Sequence, residues 1–178
     1  MTRLNTINVT EATDETAQLF AGIKQAIGKV PNMFATIGSN SPAILAHVLG
    51  TTALLKKTSL SGREQDAINL AVSEATGCDY CLAAHTLMAK ASGYSVEQTR
   101  KLRSGAYDED AKIDALIKFA VQVVTTRGTL PAETVQAVRE AGYEDRQVIE
   151  TLAVVDAILF TNMVNRVNDT TLDFPKAA

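Results

Sequence analysis

Lysine and arginine never gather densely enough in this chain to form a basic patch. They number 17 against 20 aspartates and glutamates, a net charge of −3 at neutral pH. Nucleic acids and anionic membrane surfaces select cationic patches, so neither is an expected partner. No apolar run approaches the roughly 18 residues of a membrane-spanning helix. The opening MTRLNTINVTEATDE holds no apolar stretch of signal-peptide length and no cleavage site behind one. The expected location is therefore the cytoplasm, where disulfides are rarely structural. Internal repeats, low-complexity stretches and dividing linkers are missing too, and 178 residues suit one domain.

Period-two alternation is also absent beyond a few residues, which argues against β-strands. Helical spacing takes its place. Ala17, Phe20, Ala21, Ile23 and Ile27 share one face before Gly28, and Pro31 opens a short segment expected to stop around Gly38. Ser41 with Pro42 is suited to starting a helix that ends near Lys56 and Lys57. Ser61-Gly-Arg-Glu64 reads as a capping box, and Ser95 with Gln98 repeats the pattern. Apolar stripes follow over residues 109–126 and, at near-heptad spacing, over about 145–168. The expected fold is all-α, with six to eight helices. So many apolar helices leave more greasy surface than one small bundle hides, which predicts a homo-oligomer.

Cysteine and histidine are scarce, with two of each, yet both cysteines and one histidine fall within EATGCDYCLAAH. On a helix starting at or just before Cys78, the 100° step places Cys78, Cys81 and His85 in one narrow stripe. A helix start presents unpaired N–H groups that favour thiolate over thiol, and a neutral-range imidazole can move protons. A redox dithiol uses all three residues. A zinc site would find three of its four ligands here and need a carboxylate to complete it. Two buried cysteines packed as small hydrophobes are the plain structural alternative.

The stretch SGREQDAINLAVSEATGCDYCLAAH resembles the core of the alkylhydroperoxidase D and carboxymuconolactone decarboxylase superfamily, most strongly over about 60–95. VPNMF near residue 30 and the closing DTTLDFP are similar to its peroxidase-related members. The resemblance implies one AhpD-like domain over residues 1–178, assembled as trimers or hexamers. It implies a hydroperoxide substrate, an external dithiol reductant, and no need for flavin, haem or metal. It assigns peroxide attack to Cys81, disulfide closure to Cys78 and proton relay to His85. The family's relay glutamate falls here on Asp66, one methylene shorter, with Glu64 nearby but engaged by the capping box. Where well-known members have a histidine before the second cysteine, this chain has Tyr80. The decarboxylase branch acts on a lactone without this dithiol, so the cysteine pair favours the peroxidase side.

Other polar residues read more plainly. His47 lies in an apolar helix without a local partner and is expected to be structural. Glu74 reads as a surface charge, and Tyr80 as packing or the lining of an approach. Asn162, Asn165 and Arg166, with Asn168 and Asp169, are expected where the last helix emerges into solvent.

Overall fold

A computed structural model describes residues 2–177. It contains nine α-helices among the described residues, one above the expected range, and no strand. They are α1 (Asp14–Ile27), α2 (Asn32–Asn40), α3 (Pro42–Leu55), α4 (Gly62–Ala75), α5 (Asp79–Ala91), α6 (Val96–Arg103), α7 (Ala111–Thr126), α8 (Ala132–Glu140) and α9 (Asp145–Asn168). Both capping boxes form, so Ser61 and Ser95 each satisfy an orphan N–H while Glu64 and Gln98 reach back. Ser41 caps α3 with Pro42 at its first position.

α4 is the hub, packing against α5, α6, α7 and α9. Small residues make this possible. Ala67 and Ala71 let neighbouring helices approach, while Ile68, Leu70 and Val72 fill the gaps with no exposed surface. Each such aliphatic side chain contributes about 1.5–3 kcal/mol by leaving water. Two clusters meet on α4, one around Ile68, Leu116, Phe119 and the cysteines, the other around Leu70, Leu102 and Ile117.

α2 does not stop at Gly38 but runs through it. A Cβ there would lie 2.6 Å from Phe20 Cε1 and 2.7 Å from Leu45 Cδ2, so the glycine serves close packing of α1 and α3. Gly38→Ala is expected to cost about 1–3 kcal/mol in urea unfolding, despite alanine's better helix propensity. Unchanged stability would mean that the Phe20 ring yields freely.

α9 corrects the expectation for its end. It is long and apolar enough to cross a membrane by length and composition, with a mean hydropathy of 1.5 over its best window. Its inner face, however, continues from Val154, Val155 and Ile158 into buried Asn162, Asn165 and Asn168. These asparagines point inward because each has partners there. Asn168 Oδ1 accepts from the backbone N–H groups of Arg3 and Leu4, and its Nδ2 donates to Thr36 and Thr170. Asn162 Nδ2 donates to Thr76 Oγ1 at 2.8 Å.

Candidate active site

The corner between α4 and α5 sets the site. Gly77 adopts φ +67°, which costs glycine little, and Cys78 N–H returns to the Ser73 carbonyl at 2.9 Å. This turn makes Cys78 the residue that caps α5, where serine or aspartate is usual. Its Sγ accepts the Cys81 backbone N–H at 3.3 Å. Both cysteines are free thiols, 1% and 3% exposed. Their spacing on the first turn of α5 brings the two sulfurs together as expected.

The two sulfurs are unequal. Donation from the Cys81 thiol lowers the pKa of Cys78, helped by the Cys81 backbone N–H and by the positive charge of Arg166, against the opposing effect of burial. Cys81 is held strongly upward by that same sharing of its proton with Cys78 and by burial. Of the two sulfurs, Cys78 is the one on which a thiolate is favoured. Asn165 Nδ2 donates to Cys81 Sγ at 3.3 Å, while Asn165 Oδ1 is buried without a partner among the described residues. A cavity of about 200 Å³ opens onto Cys78, bounded by Gly77, Asp79, Tyr80, Asn165, Arg166 and the Asp169–Thr170 turn.

Tyr80, between the cysteines, anchors the tail that follows α9. Its hydroxyl donates to Asp173 Oδ1 at 2.7 Å and accepts the Met33 N–H at 3.3 Å. The Phe174 ring meets Tyr80 edge-on, with centroids 5.6 Å apart. Lys29 and the Asn32 N–H also bind the Asp173 carboxylate.

The other two expected site residues make no hydrogen bond to this centre. His85 forms no hydrogen bond to either sulfur: its Nδ1 is enclosed and unpartnered among the described residues. Burial pushes its pKa well below the usual imidazole value, so the ring is neutral at pH 7. Asp66 accepts the Ser92 hydroxyl at 2.5 Å, at the opposite end of α5. Ser92 is separated from Cys81 by about 16 Å of helix, at 1.5 Å per residue. His47 is exposed rather than structural, and Glu74 pairs with Arg103 at the surface. Among the described residues, no three His, Cys, Asp or Glu side chains gather as a metal site would require.

Burial raises the Asp66 pKa, with the Ser92 bond opposing it. The folded state then binds this proton more tightly than the unfolded chain. Stability from this group is fully present below the unfolded value near 4 and falls as pH rises through the raised folded value. Asp66→Asn should raise the thermal midpoint at pH 7, and the gain should vanish below pH 4 in circular-dichroism melts.

Residues 42–107, spanning α3 to α6 and including both cysteines, match the model of the carboxymuconolactone decarboxylase family. Over that stretch the chain is similar to this family. Solved structures with the same all-helical fold align along nearly its whole length. A peroxidase-related protein with an alkylhydroperoxidase AhpD core, from Ralstonia eutropha JMP134, superposes with a TM-score of 0.86 at 20% identity, covering 97% of this chain and 92% of that one. A variant of the debrominase Bmp8, in complex with 2,3,4-tribromopyrrole, gives 0.81 at 20% identity, covering 97% and 92%. A peroxidase-related protein from Silicibacter sp. TM1040 gives 0.77 at 20% identity, covering 96% and 94%. Identities this low establish the shared fold alone. No curated protein matches the sequence.

Proposed function

We propose that the protein is a thiol-dependent peroxidase that reduces hydroperoxides through its Cys78–Cys81 pair. The observation that carries this reading is Cys78 capping α5, with its sulfur facing a cavity and its thiolate favoured by the Cys81 thiol and N–H. A thiolate attacks the terminal peroxide oxygen, the O–O bond breaks, and the departing alkoxide takes a proton to leave as an alcohol. The sulfur becomes a sulfenic acid, which the second thiol attacks, expelling water and forming the disulfide. An external dithiol then exchanges with that disulfide, restores both thiols and leaves oxidised.

The resemblance assigns attack to Cys81, whereas the capping geometry favours Cys78, and we take Cys78 as the attacking sulfur. Cys81 supplies the proton that its raised pKa retains and then closes the bridge. Asn165, hydrogen-bonded to Cys81, holds that thiol toward its partner. Neither His85 nor Asp66 is hydrogen-bonded to a sulfur within this chain, so neither is given a step here. A reducing compartment such as the cytoplasm suits a pair that must return to free thiols.

The test is one equivalent of hydroperoxide added to reduced protein. Intact mass should fall by two hydrogens as both thiols become unreactive, and a dithiol should reverse the change. Protein that keeps two free thiols after this treatment would refute the reading.

Assembly is part of the proposal. Ile44 and Leu54 on α3, Leu87 and Met88 on α5, and Ile149 on α9 are exposed. Large exposed apolar side chains on several helices call for burial against another copy. Light scattering in dilute solution should give three or six times the monomer mass.

A further inference from the structure

A second, larger hollow adjoins the dithiol cavity. It has a volume of about 550 Å³, and Arg166 lines both spaces. Its floor is apolar, made by Leu159, Met163 and Val167 on successive turns of α9. Its polar edge is cationic. Arg3 donates Nη1 to the carbonyls of Arg166 and Val167, at the end of α9 where helix carbonyls lack partners. This anchor fixes the guanidinium beside the groove and leaves other N–H donors uncommitted.

Four of the eight arginines, Arg100, Arg103, Arg139 and Arg146, pair with a carboxylate, and Arg63 is committed to the Tyr94 ring and the Ser92 carbonyl. Arg3 and Arg166 have no carboxylate partner among the described residues, and no Asp or Glu lines the larger groove. Two positive charges thus stand together in a chain whose net charge is −3. The small cavity is mixed, since Asp79 and Asp169 border it beside Arg166. A ligand carboxylate is therefore better matched one step further out, where no carboxylate lines the groove. The small cavity also offers Asn165 Oδ1, a buried acceptor left without a donor among the described residues.

From this polarity we infer that the substrate is a carboxylate-bearing organic hydroperoxide with an apolar body. This deepens, and rests on, the peroxidase reading. The carboxylate binds Arg3 and Arg166, for which guanidinium geometry is well matched. The hydrocarbon lies on Leu159, Met163 and Val167. The terminal O–O–H enters the small cavity, donates its proton to Asn165 Oδ1, and presents its outer oxygen to Cys78. A volume of this size lies within the usual range for small-molecule sites.

Equilibrium binding separates this inference from the chemistry. Octanoate and 1-octanol, neither of which can oxidise a thiol, are titrated calorimetrically against the reduced full-length protein. Octanoate should bind at least about tenfold more tightly, losing most of that advantage in Arg166→Gln and several-fold in Arg3→Gln. Lys57→Gln, at a position that does not line the groove, should bind octanoate as wild type does. In turnover, a fatty-acid hydroperoxide should show a KM at least about tenfold below that of its methyl ester. Equal affinity for octanoate and octanol, or octanoate binding indifferent to both arginine substitutions, would overturn the anionic-substrate assignment even if peroxide is consumed. Selective octanoate binding without any peroxide consumption would uphold the anion site and sink the peroxidase reading instead.

Discussion

Cys78→Ser is expected to remove peroxide turnover, by on the order of 100-fold or more, and to leave no sulfur that oxidises rapidly. Cys81→Ser should lose steady-state turnover to a similar degree but for a different reason. In that variant Cys78 still attacks once, and its sulfenic acid persists because no thiol remains to condense with it. A dione probe specific for sulfenic acids should therefore label Cys81→Ser at Cys78 and leave Cys78→Ser unlabelled. The electrostatics add a pH signature. Cys78 owes its lowered pKa first to the Cys81 thiol, then to the Cys81 N–H and Arg166. Its alkylation by iodoacetamide should follow a midpoint below the ordinary thiol value of about 8.5, and Cys81→Ala should move that midpoint upward. If the probe labels Cys81 in the reverse variant, the family order holds and the capping argument fails.

The helices were largely readable because their signals are local. Capping boxes at Ser61 and Ser95, Pro42 behind Ser41, and left-handed Gly28 each act within one turn, and each formed where the spacing indicated. The meeting of Cys78 and Cys81 was legible for the same reason, since i,i+3 neighbours on a first turn need no tertiary information. What was not legible depends on contacts between distant segments. Gly38 reads as a helix breaker until Phe20 is seen against it, and only the packing of α1 on α2 shows that. Asn165 reads as solvent-facing because polar residues normally are. A usable signal did exist: 151, 155, 158, 162, 165 and 168 continue one inward stripe at spacings of three and four. His85 shares the helical edge with Cys81, but spacing alone does not say which groups its nitrogens meet, and Nδ1 is enclosed without a hydrogen-bond partner among the described residues.

Asp173→Ala is expected to expose the dithiol to bulky reagents without unfolding the protein. Both sulfurs are nearly inaccessible, so a rigid aromatic reagent too wide for the small cavity must wait for a neighbouring element to move. The tail after α9 packs on Tyr80, between the two cysteines, and one carboxylate holds it there. Asp173 accepts from the Tyr80 hydroxyl, the Asn32 N–H and the Lys29 ammonium, while Lys29 also lies 4.2 Å over the Phe174 ring. Hydrogen bonds to a charged group contribute about 1.5–3 kcal/mol each, so losing even one raises the open population roughly tenfold to a hundredfold. Labelling of reduced protein by an aromatic disulfide reagent should accelerate by about that factor, while hydrogen peroxide oxidation changes little. Asp173→Asn should fall between, because its single amide oxygen can still accept from either the Tyr80 hydroxyl or the Asn32 N–H, while the charge that attracts Lys29 is lost. Such a latch would matter most for recycling, because the reductant must bring its own sulfur to a bridge buried beneath Tyr80. Equal labelling rates in wild type and Asp173→Ala would show instead that the sulfurs are reached from another side, through the groove beside Arg166.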